Sequence, residues 1–143
     1  MKITKLAIVL LLALASAVIA GCATGSYSSM TPKEEITRQM GKWSTAIESK
    51  DMDGIMALFS DRFEHYAWKD KEGARMFIEE AINMGYLDDV KVLLEEAEIK
   101  VAGDVASVYP VDIAGSFGSL NMELIVGREK GVWLLTGMDA PEL

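Results

Sequence analysis

Cysteine and histidine are nearly absent from this 143-residue sequence, which contains one of each, Cys22 and His65. A single histidine excludes a metal site built from several imidazoles. A single cysteine excludes a disulfide within the chain, so the domain must be stable without a covalent cross-link. Acidic residues cluster between positions 88 and 98, but they lack the glycine turn of a calcium-binding loop and fit a charged strand face better. We therefore predict no metal site and no cofactor.

Basic residues are outnumbered, because 14 Lys and Arg stand against 22 Asp and Glu, for a formal net charge of −8. A surface of this sign repels phosphate backbones and anionic lipid headgroups. The composition therefore argues against nucleic acid as a partner. Its simplest consequence is solubility.

Long apolar runs are also scarce, and the longest, Leu6 to Ala20, is interrupted only by Ser16. It is shorter than the roughly 20 residues that a membrane-spanning helix needs. Lys2 and Lys5 precede it, and the first acidic residue of the chain is Glu34. A basic start, a short apolar run and small residues after it are typical of a secretory signal peptide.

The residues Ile19-Ala20-Gly21-Cys22 resemble the lipobox of bacterial lipoproteins. In that family a signal peptidase cleaves before the cysteine, whose thiol receives two acyl chains, palmitate among them, and whose new amino group is often acylated too. Two or more chains anchor a protein stably, whereas one gives only marginal membrane binding. The resemblance implies that Cys22 is lipidated. The alternative is an ordinary secretory signal with a free cysteine.

The lipobox divides the chain into three parts. Residues 1–21 are the signal peptide, residues 22–30 are the lipidated cysteine and a flexible tether, and residues 31–143 form one domain. The residue after the cysteine is Ala23, not the aspartate that favours inner-membrane retention of lipoproteins in Gram-negative cells. The resemblance therefore implies a lipid-anchored protein of the bacterial cell envelope. In a Gram-negative cell it would sit on the outer membrane and face the periplasm.

Helical periodicity dominates the first half of the domain. Thr31-Pro32-Lys33-Glu34 predicts a helix start with a capping box, and this helix should continue to about Lys50. Asp70 should cap another helix, which Gly85 would end. Between them we predict a short helix from Ile55 to Phe59 and a strand from Arg62 to Trp68.

From position 90 the apolar period becomes that of strands. Short turn sequences between the apolar runs predict antiparallel hairpins. Pro110 predicts a bulge within the second run. The four predicted strands are Val90–Val101, Val105–Ala114, Phe117–Val126 and Val132–Met138.

Three segments of the domain stand out beside this order of elements: Trp43-Ser44-Thr45-Ala46, the run from Lys50 to Phe63, and Gly131 to Gly137. Together they resemble the nuclear transport factor 2-like superfamily, which includes SnoaL-like domains and ketosteroid isomerase. It implies an α+β fold in which three N-terminal helices pack on a curved antiparallel sheet and enclose an apolar, cone-shaped pocket. Family members use this pocket as an enzyme site, as a ligand site or only as a core, so the fold does not decide the function. Dimers through the open sheet face are common in the family, and a homodimer is expected here.

Candidate site residues are the aromatic and titratable side chains expected near the cone. His65 titrates near neutrality and could act as a pocket acid or base. Because no nucleophile or paired base is visible near it, a strand histidine bonded to a neighbour is the favoured alternative. Tyr66 and Tyr109 are candidate donors, and Asp112 is expected on the solvated face of its strand. The predicted ligand-binding set is Trp43, Phe63, His65, Trp68, Met76 and Tyr109.

Two hypotheses of function follow. The favoured one is a non-catalytic, lipid-anchored domain that binds a small apolar ligand or a partner protein. The alternative is a SnoaL-like enzyme, an isomerase, cyclase or hydrolase acting by acid/base chemistry on a small hydrophobic carbonyl compound. A wide cavity in which His65 and a carboxylate converge would favour the enzyme.

Overall fold

The computed structural model of the protein describes residues 29–140. The predicted signal peptide, the lipobox with Cys22 and most of the tether precede that range, and residues 141–143 follow it. The predictions on cleavage and anchoring therefore lie outside the described residues. Between residues 29 and 140 no helix is both long and apolar enough to cross a bilayer.

Three helices supply one layer of the domain: α1 (Pro32–Glu48), α2 (Met52–Met56) and α3 (Lys71–Asn83). The capping box predicted at the start of α1 is confirmed. The Thr31 hydroxyl accepts from the Glu34 N–H, and the Thr31 N–H donates to Glu34 Oε2 at 2.6 Å. Asp70 caps α3 as predicted, because its carboxylate accepts from the Gly73 N–H at 2.9 Å.

Both long helices end in the same backbone motif, in which a residue with positive φ closes the last turn. After α3 this residue is Gly85, as predicted, and the Tyr86 N–H donates to the Ala81 carbonyl at 2.9 Å. After α1 it is Lys50, with φ of 57°. Helix α1 thus ends at Glu48, slightly before the predicted boundary, because Lys50 lies outside the helix and reverses the chain.

The second layer is a curved, mixed sheet of six strands. The strands are β1 (Phe59–Glu64), β2 (Lys91–Leu93), β3 (Glu98–Ala102), β4 (Val105–Gly115), β5 (Gly118–Glu129) and β6 (Val132–Asp139). Their order in the sheet is β1-β6-β5-β4-β2, with β3 also paired to β4. The predicted α+β fold is thereby confirmed, but the sheet is not wholly antiparallel, because β1 pairs with β6 in parallel.

Two boundaries differ from the sequence prediction because of long-range pairing. Phe59 was predicted to end the second helix, but in the structure it begins β1, where it pairs with Leu135 of β6. The predicted strand from Val90 to Val101 is two strands, β2 and β3, which pair with successive halves of β4. In both cases the partner strand decides the local structure.

The predicted bulge at Pro110 is present in β4. Val108 pairs with Leu124 and Val111 with Met122, so β4 holds one extra residue between these pairs. The extra residue reverses the alternation of side chains. Val108 and Val111 are both buried, while Tyr109 lies on the outer face of the sheet.

The hydrophobic core lies between the helices and the inner face of the sheet. Its largest side chains are nearly inaccessible to solvent: Trp43 of α1, Phe59 and Phe63 of β1, Leu124 of β5 and Trp133 of β6. This layer of aromatic and aliphatic side chains fixes the helices on the sheet and leaves a cavity at one end.

Candidate functional site

An apolar cavity of about 410 Å³ lies between α1, α3 and the inner face of the sheet. Its buried wall includes Trp43 and Phe59, together with Ile78 of α3 and Met122 of β5. The cavity meets solvent at an aromatic rim, which we define as the exposed side chains of Tyr66, Phe77, Tyr86 and Phe117. A volume of this order lies within the range of small-molecule sites, about 300–1,000 Å³.

Polar side chains are few around the cavity. Apart from two tyrosines and the indoles of Trp43 and Trp68, only His65 and Asp139 among the lining residues have polar side chains. Asp139 is the last residue of β6 and is exposed, so the polar groups lie toward the solvent end. The cavity can therefore bury an apolar molecule and contact a polar group at the end nearest the solvent.

A five-residue loop, His65 to Lys69, forms one wall of the cavity. The His65 N–H donates to the Lys69 carbonyl at 3.1 Å, and the Lys69 N–H donates back to the His65 carbonyl at 2.8 Å. This loop replaces the second half of the predicted strand from Arg62 to Trp68, since β1 ends at Glu64. The three residues at its centre, Tyr66, Ala67 and Trp68, all line the cavity.

The His65 side chain is part of this loop. Its Nδ1 accepts hydrogen bonds from the Ala67 and Trp68 N–H groups, each at 3.3 Å. Asparagine and aspartate commonly bond the backbone two residues on in this way. Because Nδ1 is an acceptor, the ring is the neutral tautomer that carries its proton on Nε2.

The electrostatic environment agrees with a neutral ring. Burial lowers the pKa of His65 below the usual value of a histidine, and the Asp139 carboxylate opposes this shift only in part. Asp139 is thus close enough to act on His65, but within residues 29–140 no ion pair joins the two side chains.

Aromatic contacts connect the loop to the rest of the domain. The His65 ring lies 4.4 Å from the rings of both Tyr66 and Trp68, measured between centroids. Trp68 in turn stacks on Phe77 of α3. These contacts and the backbone bonds hold one wall of the cavity against the helix layer.

The structure brings together some of the sequence-predicted site residues and separates others. Trp43, His65 and Trp68 line the cavity. Phe63 is buried and packs edge-on against Phe59, outside the lining. Met76 is exposed on α3 and Tyr109 is exposed on the outer sheet face, and neither is among the residues that line the cavity. Whether any of them binds a ligand stays a prediction.

Sequence reasoning missed most of the aromatic rim and Asp139. Phe77 has the spacing of an apolar helix face and was not in the predicted ligand-binding set. Phe117 was predicted to begin a strand, although it lies in the turn between β4 and β5. Asp139 follows the last apolar run and carries no motif. Tyr86 could have been predicted from the sequence. It directly follows Gly85, the glycine that ends α3, and the turn at this glycine fixes the direction of the next side chain.

Other candidate groups lie away from the cavity. Asp112 is on the outer face of β4, as expected, and accepts from Asn121 Nδ2 at 2.8 Å across the strand pair. In the part of the chain that the structure describes, no group of three or more His, Cys, Asp or Glu side chains is arranged to hold a metal ion.

Solved structures with the same architecture come from several bacteria. A protein of unknown function with a cystatin-like fold from Nostoc punctiforme matches with a TM-score of 0.62 and 17% identity, over 80% of this chain and 98% of its own. An NTF2-like (nuclear transport factor 2-like) protein of unknown function from Pseudomonas putida matches with 0.60 and 20%, over 76% and 86%. Another from Shewanella oneidensis matches with 0.58 and 12%, over 76% and 97%.

No protein-family model matches the sequence, and no curated protein matches it. At these identities, structural likeness establishes the architecture and leaves the activity open. The expected architecture is thereby confirmed: the chain has the nuclear transport factor 2-like fold.

Proposed function

We propose that this protein is a lipid-anchored component of the bacterial cell envelope that binds a small apolar molecule in its cavity without transforming it. The observation that carries the proposal is the cavity itself, about 410 Å³ in volume, with an apolar buried wall and polar groups near its opening. Burying apolar ligand surface contributes about 25 cal/mol per Å². An open, apolar cavity is therefore the feature of this domain best suited to binding.

The charges near the opening favour a neutral ligand with a hydrogen-bond acceptor. Asp139 borders the cavity and would repel an anionic group. His65 Nδ1 is already engaged by the loop, so only the Nε2–H of the ring remains to donate. A carbonyl, ether or hydroxyl oxygen at one end of an apolar ligand fits this arrangement.

Binding can be tested with the mature chain carrying Cys22→Ser, titrated with the fluorescent neutral probe N-phenyl-1-naphthylamine. Ile113→Trp should fill part of the cavity, because Ile113 lines it, and should weaken probe binding at least tenfold. Ile125→Trp is the matched control, because Ile125 is half-buried on the neighbouring strand but lies outside the lining. Equal loss in both variants, or no probe binding in the parent chain, would contradict the proposal.

Anchoring has its own test. The lipobox sequence supports it, and the folded domain begins at Thr31, which leaves a short segment after Cys22 to act as a tether. Cys22→Ser should move the protein from the membrane fraction to the soluble fraction and remove the mass of the acyl chains. Ser26→Ala should change neither property. A parent chain that lacks the mass of the acyl chains would exclude lipid on this cysteine as the anchor.

The enzyme hypothesis keeps one specific observation in its favour, because His65, Tyr66 and Asp139 border the same cavity. His65 is a poor general base here, since Nδ1 is occupied and Nε2 carries the proton. Tyr109 lies on the other face of the sheet and cannot serve as a donor in the cavity. An enzyme would therefore use Asp139 as base and Tyr66 as donor. Deuterium incorporation next to the carbonyl of apolar ketones in D₂O, lost on Asp139→Asn, would establish it.

We also propose a homodimer through the outer face of the sheet. Tyr109 and Val105 are exposed there, and Ile125 is half-buried on the adjacent strand. Exposed apolar side chains on one sheet face are suited to contact a second copy. Sedimentation velocity should show a dimer that Tyr109→Arg dissociates, while Met76→Arg, on α3, leaves it intact. A monomeric parent chain would exclude this partner.

A further inference from the structure

We propose that His65 is a positioning residue whose neutral imidazole holds the 65–69 loop as a wall of the cavity, so that acidification opens this wall and releases the ligand. The inference rests on the proposed ligand-binding function, to which it adds a means of regulation. It assigns to the single histidine a structural task that its chemistry can reverse within the physiological pH range.

The geometry ties the loop to one ring nitrogen. Two consecutive N–H groups, those of Ala67 and Trp68, donate to His65 Nδ1. Protonation turns Nδ1 into a donor, so both hydrogen bonds are lost at once and three N–H groups then face each other. The loop keeps the two backbone bonds between His65 and Lys69 and the bond from the Asp70 N–H to the Trp68 carbonyl.

The wall of the cavity follows the loop, since Tyr66, Ala67 and Trp68 all contribute to the lining. Trp68 is half-buried and couples the loop to α3 through Phe77. A change in the Trp68 backbone therefore moves the largest side chain of this wall. The Trp43 side of the cavity stays in place, because it belongs to the packed core.

The groups that face His65 set the pH at which this happens. Asp139 on β6 favours the proton, whereas Phe63 on β1, whose ring is stacked 6.4 Å away, and the Tyr66 and Trp68 rings of the loop disfavour it. Lys69, which pairs with His65 through the backbone, adds a positive charge on the exposed side. Burial exceeds the effect of Asp139, so the pKa of His65 lies below the usual value of a histidine.

Two substitutions distinguish the hydrogen-bond acceptor at position 65 from the protonation of the imidazole ring. In His65→Asn the amide Oδ1 takes the place of Nδ1 and accepts from the same N–H groups at every pH. In His65→Leu the acceptor is absent at every pH. Hydrogen exchange of the Ala67 and Trp68 amides, corrected for intrinsic rates, is measured on the mature Cys22→Ser chain between pH 8 and pH 5.

With His65 present, protection of both amides should fall about tenfold between pH 8 and pH 5, beyond the change in intrinsic rates. His65→Asn should remain protected throughout, and His65→Leu should be unprotected throughout. Circular dichroism at pH 8 checks that both variants are folded. Equal protection at the two pH values with His65 present, or a protected His65→Leu chain, overturns the positioning role.

Binding of N-phenyl-1-naphthylamine, which is neutral across this range, gives the second readout. Affinity should fall severalfold at pH 5 with His65 present and become independent of pH in His65→Asn. If the affinity for the probe is the same at both pH values while the amide protection changes, the loop is not coupled to the cavity and that part of the proposal is overturned. If the probe binds at no pH, the ligand-binding function fails, and the exchange data still decide the role of His65 in the loop.

Discussion

Trp68 stacks on Phe77, with ring centroids 4.6 Å apart and ring planes inclined by 27°. This pair joins a side chain of the 65–69 loop to a side chain of α3. Offset aromatic pairs contribute about 0.5–1.5 kcal/mol beyond the surface they bury. The loop that borders the cavity is therefore attached to the helix layer by a contact whose energy can be measured.

A double-mutant cycle should detect this link. Trp68→Ala and Phe77→Ala each lower the free energy of unfolding, and their coupling energy should be about 1 kcal/mol in urea denaturation. Met76→Ala replaces Phe77→Ala in the control cycle, since Met76 is the exposed neighbour on α3. A coupling energy near zero for the Trp68 and Phe77 pair would contradict the stacked geometry.

Stability should depend on pH through His65. Its pKa is near 6.5 in the unfolded chain and lower in the folded protein, because burial disfavours the charged ring. The unfolded state therefore binds more protons, so the free energy of unfolding is constant above the unfolded pKa and falls as pH drops below about 6.5. Urea denaturation at pH 8, 6.5 and 5 measures this fall.

The same fall should be absent from His65→Asn over this range. The carboxylates with lowered pKa values, Glu34, Glu48, Asp61 and Glu129, lose their contribution only at more acidic pH. A fall between pH 6.5 and pH 5 that persists in His65→Asn would mean that another group is responsible.

The residues with positive φ after α1 and α3 predict that removing a glycine destabilises the domain and that introducing one stabilises it. Gly85→Ala should destabilise the domain by about 1 kcal/mol, because φ is 78° at this position and a Cβ is strained there. Lys50→Gly should stabilise it by about 0.5 kcal/mol for the same reason. The exposed Lys50–Asp88 ion pair that is lost is worth little.

Thermal denaturation of both variants checks this prediction. The experiment is repeated in an Asp88→Asn background, which removes the ion pair from the comparison. Destabilisation by Lys50→Gly in that background would show that the positive φ of Lys50 carries no cost.

Ser60 is the one polar residue in the described range that is fully buried. Its hydroxyl donates to Glu129 Oε1 at 2.6 Å and accepts from the Arg62 N–H at 2.9 Å. Ser60→Ala should therefore lower the free energy of unfolding by about 1–2 kcal/mol. It should also raise the pKa of Glu129, which the Ser60 hydroxyl, more than Arg62, holds below its usual value.

Urea denaturation and a carboxylate NMR titration measure the two effects. Ser119→Ala, on the exposed start of β5, is the control and should change neither quantity. An unchanged Glu129 pKa in Ser60→Ala would rule out the hydroxyl as its main partner.

Features encoded by neighbouring residues could be predicted from the sequence. The capping box at Thr31, the Asp70 cap, the glycine after α3 and the bulge at Pro110 each depend on a few adjacent positions, and the structure confirms all four. The element order also sufficed for the fold. Local chemistry acts the same way in a short segment as in the folded chain.

Features that depend on distant partners could not be predicted. The start of β1 at Phe59 requires β6, which follows it by more than 70 residues. The position of Asp139 beside the cavity likewise depends on the pairing of β6 with β5. The His65 loop was missed because histidine is not among the residues with a strong turn preference.

The bulge in β4 also lets one strand contribute side chains to two different inner regions, the closed core and the cavity. Before it, the even-numbered Ala106 and Val108 face the closed core, and after it the odd-numbered Ile113 faces the cavity. The two halves of the strand pair with different short neighbours, β3 before the bulge and β2 after it. Substitutions at Ile113 can reshape the binding space for a different molecule, while Ala106, Val108 and Val111 continue to pack in the core.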